Sequence, residues 1–205
     1  MNFSLNSPFT SKDKIYIQND SDINLLYFEF RKKSENFKYK TLFYYLEIPI
    51  EKIFPELQDF KIEELVFGWK YNYPLIVLPQ TLKVLKFGWN FNNHIYNWSP
   101  DIYKIVFNYS FNMYLPNYPP NLKILEFGSK FNQNIDSLPN SLEYLQLSNE
   151  FNYPISQFPK NLLHLKFGWE FNTELFNLPS NLKTLQLGWN YNQELNNLPD
   201  SLERL

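Results

Sequence analysis

Two histidines, His94 and His164, are the side chains of this sequence best suited to hold a metal or move a proton near neutral pH. Neither has a carboxylate or second histidine at a metal-ligand spacing. The carboxylates Glu63, Glu64, Glu126, Glu143, Glu150 and Glu170 could do general acid–base work only if two met at one site. Their positions scatter instead over several phases of the repeat described below. The sequence has no cysteine, which removes thiolate nucleophiles, disulfides and cysteine-based zinc sites together and suits a reducing compartment. No G-x-S-x-G elbow or phosphate-cradling loop occurs. The expectation is a protein that is not an enzyme and that uses no cofactor or metal.

The chemistry that remains is recognition. One position of the repeat carries Trp69, Trp89, Tyr109, Ser129, Asn149, Trp169 and Trp189. Serine and asparagine at two of these positions imply partial exposure, and tryptophan and tyrosine are favoured interface anchors. Rings packed along the edge of a column are the competing reading. Two further rows vary in chemistry from unit to unit. The first runs Glu64, Val84, Lys104, Ile124, Tyr144, His164 and Thr184; the second runs Val66, Lys86, Val106, Glu126, Gln146, Lys166 and Gln186. Lys86, Lys104, Tyr144, His164 and Lys166 are therefore candidate partner contacts beside the aromatic row.

What positions these residues is a period of 20. The dipeptide F/Y-N recurs at 71, 91, 111, 131, 151, 171 and 191 without insertion or deletion. Around it the unit reads L-x-x-L-x-F-G-x-x-F-N-x-x-I-x-x-L-P-x-[S/N], giving seven full repeats and a final partial one. L-x-F alternates with period two, as a strand with one buried edge does. The rest of the unit carries proline in nearly every copy and is too short for a helix, so the return path should be extended or in turns. Stacked in parallel at about 4.8 Å, seven coils make a column roughly 34 Å long. One coil cannot bury its own large apolar side chains, whereas a stack can. The fold class expected is mainly β: a solenoid of 20-residue coils resembling leucine-rich repeats, with a parallel sheet on one face and extended or turn return arms.

The recurring polar and small residues then acquire structural roles. Asn72, Asn92, Asn112, Asn132, Asn152, Asn172 and Asn192 fall at one inward-turning corner, where their amides should form a ladder with the backbone of adjacent coils. An unpartnered buried asparagine would cost about 1–3 kcal/mol. All five glycines, Gly68, Gly88, Gly128, Gly168 and Gly188, share one phase with Asn108 and Ser148. Because glycine and asparagine tolerate positive φ, a bend or bulge is expected there. Short polar residues before each strand, from Thr81 to Ser201, suit turns.

The F-N-x-x-I-x-x-L-P core resembles the FNIP repeat, found in slime moulds and giant DNA viruses. The resemblance spans about residues 60–205. It implies protein–protein interaction. In viral members an F-box before the repeats would add recruitment to ubiquitin ligases, but residues 1–60 show no such helical box. The L-x-x-L-x-F frame also resembles leucine-rich repeats. Its asparagine, however, comes five residues after the third apolar position (Phe87 to Asn92) where theirs comes three after, so a different corner is expected.

The charge of -2 and pI near 5.8 supply no basic field for phosphates, so nucleic acid is not an expected partner. No apolar run reaches the ~18 residues needed to cross a bilayer and no signal peptide is apparent, which points to the cytoplasm, the host cytoplasm for a viral chain. Residues 1–60 lie off the period and read as an N-terminal cap on antiparallel strands, at 14–18, 23–30 and within 37–48, before the repeats at 61–205. A separately folding module is the other reading of that region. Leu202 and Leu205 in the last strand could pair with a second copy in a homodimer. The function expected is a repeat scaffold for an unidentified protein partner. Carbohydrate binding along the tryptophan rows and a structural, self-assembling role are the alternatives.

Overall fold

The structure is a computed structural model, and it describes residues 10–11, 13–19, 40–55 and 57–205. The described strands are β1 (Thr10–Ser11), β2 (Lys14–Ile17), β3 (Thr41–Tyr44), β4 (Glu64–Phe67), β5 (Val84–Lys86), β6 (Lys104–Val106), β7 (Ile124–Glu126), β8 (Tyr144–Gln146), β9 (His164–Lys166) and β10 (Thr184–Gln186). They form one sheet in chain order. A four-residue helix, α1 (Ile50–Ile53), and a 3-10 turn (Leu57–Asp59) lie between β3 and β4. From β4 onward each strand pairs in parallel with the residue 20 positions later, as Leu85 with Ile105 and Leu125 with Leu145. The mainly β, leucine-rich-repeat-like solenoid expected from the period is the fold observed.

Alternation drives each strand. Its middle residue is buried and the flanking pair half-buried, so Leu85, Ile105, Leu125, Leu145 and Leu165 point inward between outward neighbours. The return arm ends in a tight turn in which the N–H of the first apolar residue of the next strand unit donates to the carbonyl three residues back. Leu82 does so to Pro79 and Leu122 to Pro119, and proline at that position fixes φ where the chain must turn. Ser99, the one departure from proline, sits in the same turn and donates its hydroxyl to the carbonyl of Pro79.

The interior is a double row of aromatic rings. Phe67, Phe87 and Phe107 each stack on the phenylalanine 20 residues on at 5.0–5.6 Å, before Leu147 interrupts the row. The second row, from Tyr71 to Tyr191, steps by 5.9–6.3 Å with nearly parallel planes. Strands in a sheet are about 4.8 Å apart. Equivalent rings therefore separate further with distance from the sheet, and the coils splay outward from it.

Three expectations need adjustment. Antiparallel pairing near the N-terminus is present between β1 and β2, but β2 and β3 run parallel to the repeat strands, with offsets of 27 and 23 residues. Alternating hydrophobicity identifies a strand and not its direction; β2 and β3 continue the same parallel sheet. The strand read at 23–30 lies outside the described residues. The glycines do not adopt positive φ at all. Their cause is crowding: a Cβ on Gly88 would overlap the carbonyl of Gly68, and one on Gly188 the carbonyl of Gly168. Positive φ occurs instead at Asn177 and Asn197 in the return arms.

Candidate functional site

The asparagines do form a continuous ladder. The backbone N–H of Asn92 donates to Asn72 Oδ1 at 2.9 Å, and the pattern repeats through Asn112, Asn132, Asn152, Asn172 and Asn192 at 2.8–3.0 Å. Most of these residues are exposed, however, not buried as the inward corner implied. The ring before each asparagine takes the interior, which turns the amide out, and each side chain caps an N–H of the following coil. A second set of rungs comes from Thr81, Ser141 and Ser201, whose hydroxyls donate to the carbonyls of Ile62, Leu122 and Leu182.

His94 is exposed beside Tyr96, whereas His164 lies on β9 with Nδ1 2.9 Å from Thr184 Oγ1. They stand on different sides of the coil. No group of three or more metal-binding side chains occurs among the described residues. The six carboxylates singled out are engaged with basic or polar partners: Glu63 with Lys40 and Lys83, Glu64 with Lys86, Glu126 with Lys104, Glu143 with Lys123, Glu150 with Lys130, and Glu170 with Asn190. The Lys83 hydrogen bond holds the Glu63 carboxyl below the usual range against the opposing effect of burial, with Lys40 adding to it. These are intercoil pairs, not a shared-proton dyad.

The aromatic phase lies on the outside of the column. Trp69, Trp89, Trp169 and Trp189 are 71%, 49%, 67% and 91% exposed. Trp89 and Tyr109 stack at 4.3 Å, and Lys130 sits 5.7 Å from the Tyr109 centroid. Between Trp69 and Trp89 is an open slot of about 350 Å3, lined also by Lys70 and Asn90. Trp169 and Trp189 lie on later coils, so the row is two separate clusters.

The sheet surface carries Lys86, Lys104, Tyr144, His164 and Lys166, all half-buried. Lys86 and Lys104 are held by glutamates, whereas Tyr144, His164 and Lys166 border an open depression of about 550 Å3. Gln186, already placed in the second outward row, also lines it, and sequence reading missed Arg204 in that wall. The available signal was the position 20 residues beyond Thr184, which brings Arg204 into the same outward row. Leu202 is half-buried and Leu205 exposed. Among the described residues no helix is long and apolar enough to cross a membrane.

A sheet of parallel strands, constant ring stacks and in-register side-chain ladders define a repeat solenoid. Matches to the FNIP Repeat family model cover residues 61–90, 111–150, 131–168 and 171–205, more than half the chain. The chain belongs to the FNIP repeat family. It is also similar to the solved crystal structure of CroV588, described as a novel circular LRR protein structure, at 35% identity and a TM-score of 0.68. That similarity covers 70% of this chain and 23% of the other, so this chain spans about a quarter of its length. A comparison with curated proteins gives no match.

Proposed function

We propose that the chain is a scaffold for protein–protein interaction with no enzymatic activity of its own. The observation that supports this most is the division between a repeated interior and outward rows that change side chain at nearly every coil. Repeat proteins use such a division to recognise partners on a fixed frame. The cytoplasm is the proposed setting, in keeping with a chain free of cysteine. Proximity labelling in the cell of origin tests the reading. The wild type is compared with a sheet variant (Tyr144→Ala with Lys166→Ala) and an edge variant (Trp89→Ala), each checked for an unchanged melting profile. Loss of a labelled protein in one variant supports it; a labelled set indifferent to both refutes it.

A second reading, carbohydrate binding, is favoured by the open slot between Trp69 and Trp89. Exposed indole faces can cover the apolar face of a sugar ring. A glycan array should then give signal that Trp89→Ala abolishes, and an empty array disposes of the idea.

A further inference from the structure

The outward rows of the sheet change character along the column. On β4 to β7 each lysine meets a glutamate: Lys86 Nζ is 2.6 Å from Glu64, and Lys104 Nζ is 2.6 Å from Glu126. On the later coils this stops. Lys166 on β9 and Arg204, which bridges to Thr184 of β10, have no carboxylate partner among the described residues. Both line the depression of about 550 Å3, together with Tyr144, His164, Thr184 and Gln186. No acidic side chain contributes to its wall.

Register sets the separation of the two cations. Lys166 is opposite Gln186, and Arg204 is opposite Thr184. They are thus two strands and two residues apart, which at about 4.8 Å per strand and about 3.3 Å per residue puts their Cα atoms roughly 12 Å apart. An extended peptide rises by about 3.3 Å per residue and turns successive side chains to opposite faces, so carboxylates four positions apart share a face and span roughly 13 Å.

Resting on the interaction-scaffold reading, we propose that this patch binds an extended peptide segment carrying two acidic side chains four residues apart. Lys166 and Arg204 take one carboxylate each. Gln186, exposed between them, offers an amide to the peptide backbone. Arginine can engage its carboxylate in a two-bond fork, lysine as a point charge. A nucleic acid fits less well. Two cations are a short track for a continuous polyanion, and the chain as a whole carries a net charge of -2.

The test selects a displayed library of random linear peptides on the whole chain and measures selected peptides by fluorescence polarisation. Expected are Asp or Glu pairs at a spacing of four, and binding that weakens as ionic strength rises. Lys166→Gln and Arg204→Gln should each weaken binding at least fivefold, while Lys61→Gln, at an exposed position where the repeats begin, leaves it unchanged. Arg204 is exposed, so its replacement keeps the test valid should Lys166→Gln disturb the sheet. Selected peptides without acidic pairs overturn the inference. So does loss of binding only in Trp69→Ala or Trp89→Ala, an outcome that leaves the interaction reading intact. A single-stranded RNA that binds the patch more tightly than any selected peptide overturns it too. A library with no binder overturns the inference alone, since the broader reading stands or falls with the labelling experiment.

Discussion

Two rows one residue apart divide the work of this column. The Tyr71-to-Tyr191 row is buried through Phe171, each ring lying on the next, whereas the adjacent Asn72-to-Asn192 row faces solvent for most of its length. Both rows run without a gap. They differ in how their energy depends on water. A buried ring contributes area removed from water plus close packing, so its loss leaves a void. An exposed amide exchanges a water hydrogen bond for a protein one, with a small net gain. Repetition of a motif thus says little about how much each letter stabilises; the side of the backbone it faces decides that.

The strongest way to break the pair is to remove one ring. Phe131 is fully buried, 3.7 Å from Phe127 in its own coil, and stacked on Phe111 and Phe151. Phe131→Ala should destabilise by about 3–5 kcal/mol, measured by chemical denaturation. A loss below ~1 kcal/mol would mean that the column closes over the void and that the stack is not its main support.

Spacing between coils comes next. An added Cβ at Gly88 meets the backbone of Gly68 and Trp69. Gly88→Ala should therefore cost about 1–3 kcal/mol through overpacking, even though alanine ordinarily favours folding by restricting the unfolded chain. A neutral or stabilising result would mean that the coils part enough to admit a methyl group, and it would speak equally against a positive-φ bend, where alanine is strained.

The fold was legible in the sequence because period and alternation are one-dimensional signals: Leu85, Ile105 and Leu125 had to align if coils stacked. The glycine role was not legible. Conformational freedom and close approach select the same residue, and only the neighbouring coil at Gly68 tells them apart. The asparagine row was assigned correctly to an intercoil ladder but to the wrong side, since F-N says that adjacent side chains diverge without saying which one turns inward. The sheet patch was half legible. Lys166 could be picked as outward, but the glutamates that occupy Lys86 and Lys104 lie on neighbouring coils, both at diagonal positions. Absence of such a partner shows only after the strands are in register.

A smaller effect is expected from the ladder itself. Asn132→Ala removes the acceptor for the Asn152 N–H, a 3.0 Å bond. The orphaned donor remains at the surface, where water can satisfy it, so the cost should be about 0.5–1.5 kcal/mol. Asn132→Asp keeps an acceptor oxygen and should recover most of it. A cost as large as that of Phe131→Ala would show that the amide row is effectively desolvated.

The finest distinction concerns where the two rows act. If the rings hold the column together and the amides set local register, hydrogen exchange separates them. Phe131→Ala should speed amide exchange across several coils, because a void in a continuous stack weakens the cooperative unit. Asn132→Ala should speed exchange at Asn152 alone by tenfold or less, that being the scale of one net hydrogen bond of about 1 kcal/mol. Exchange that rises equally across coils in both variants would erase the distinction. Stability and register would then be properties of the whole coil, and exposure would no longer separate the asparagine from the phenylalanine beside it.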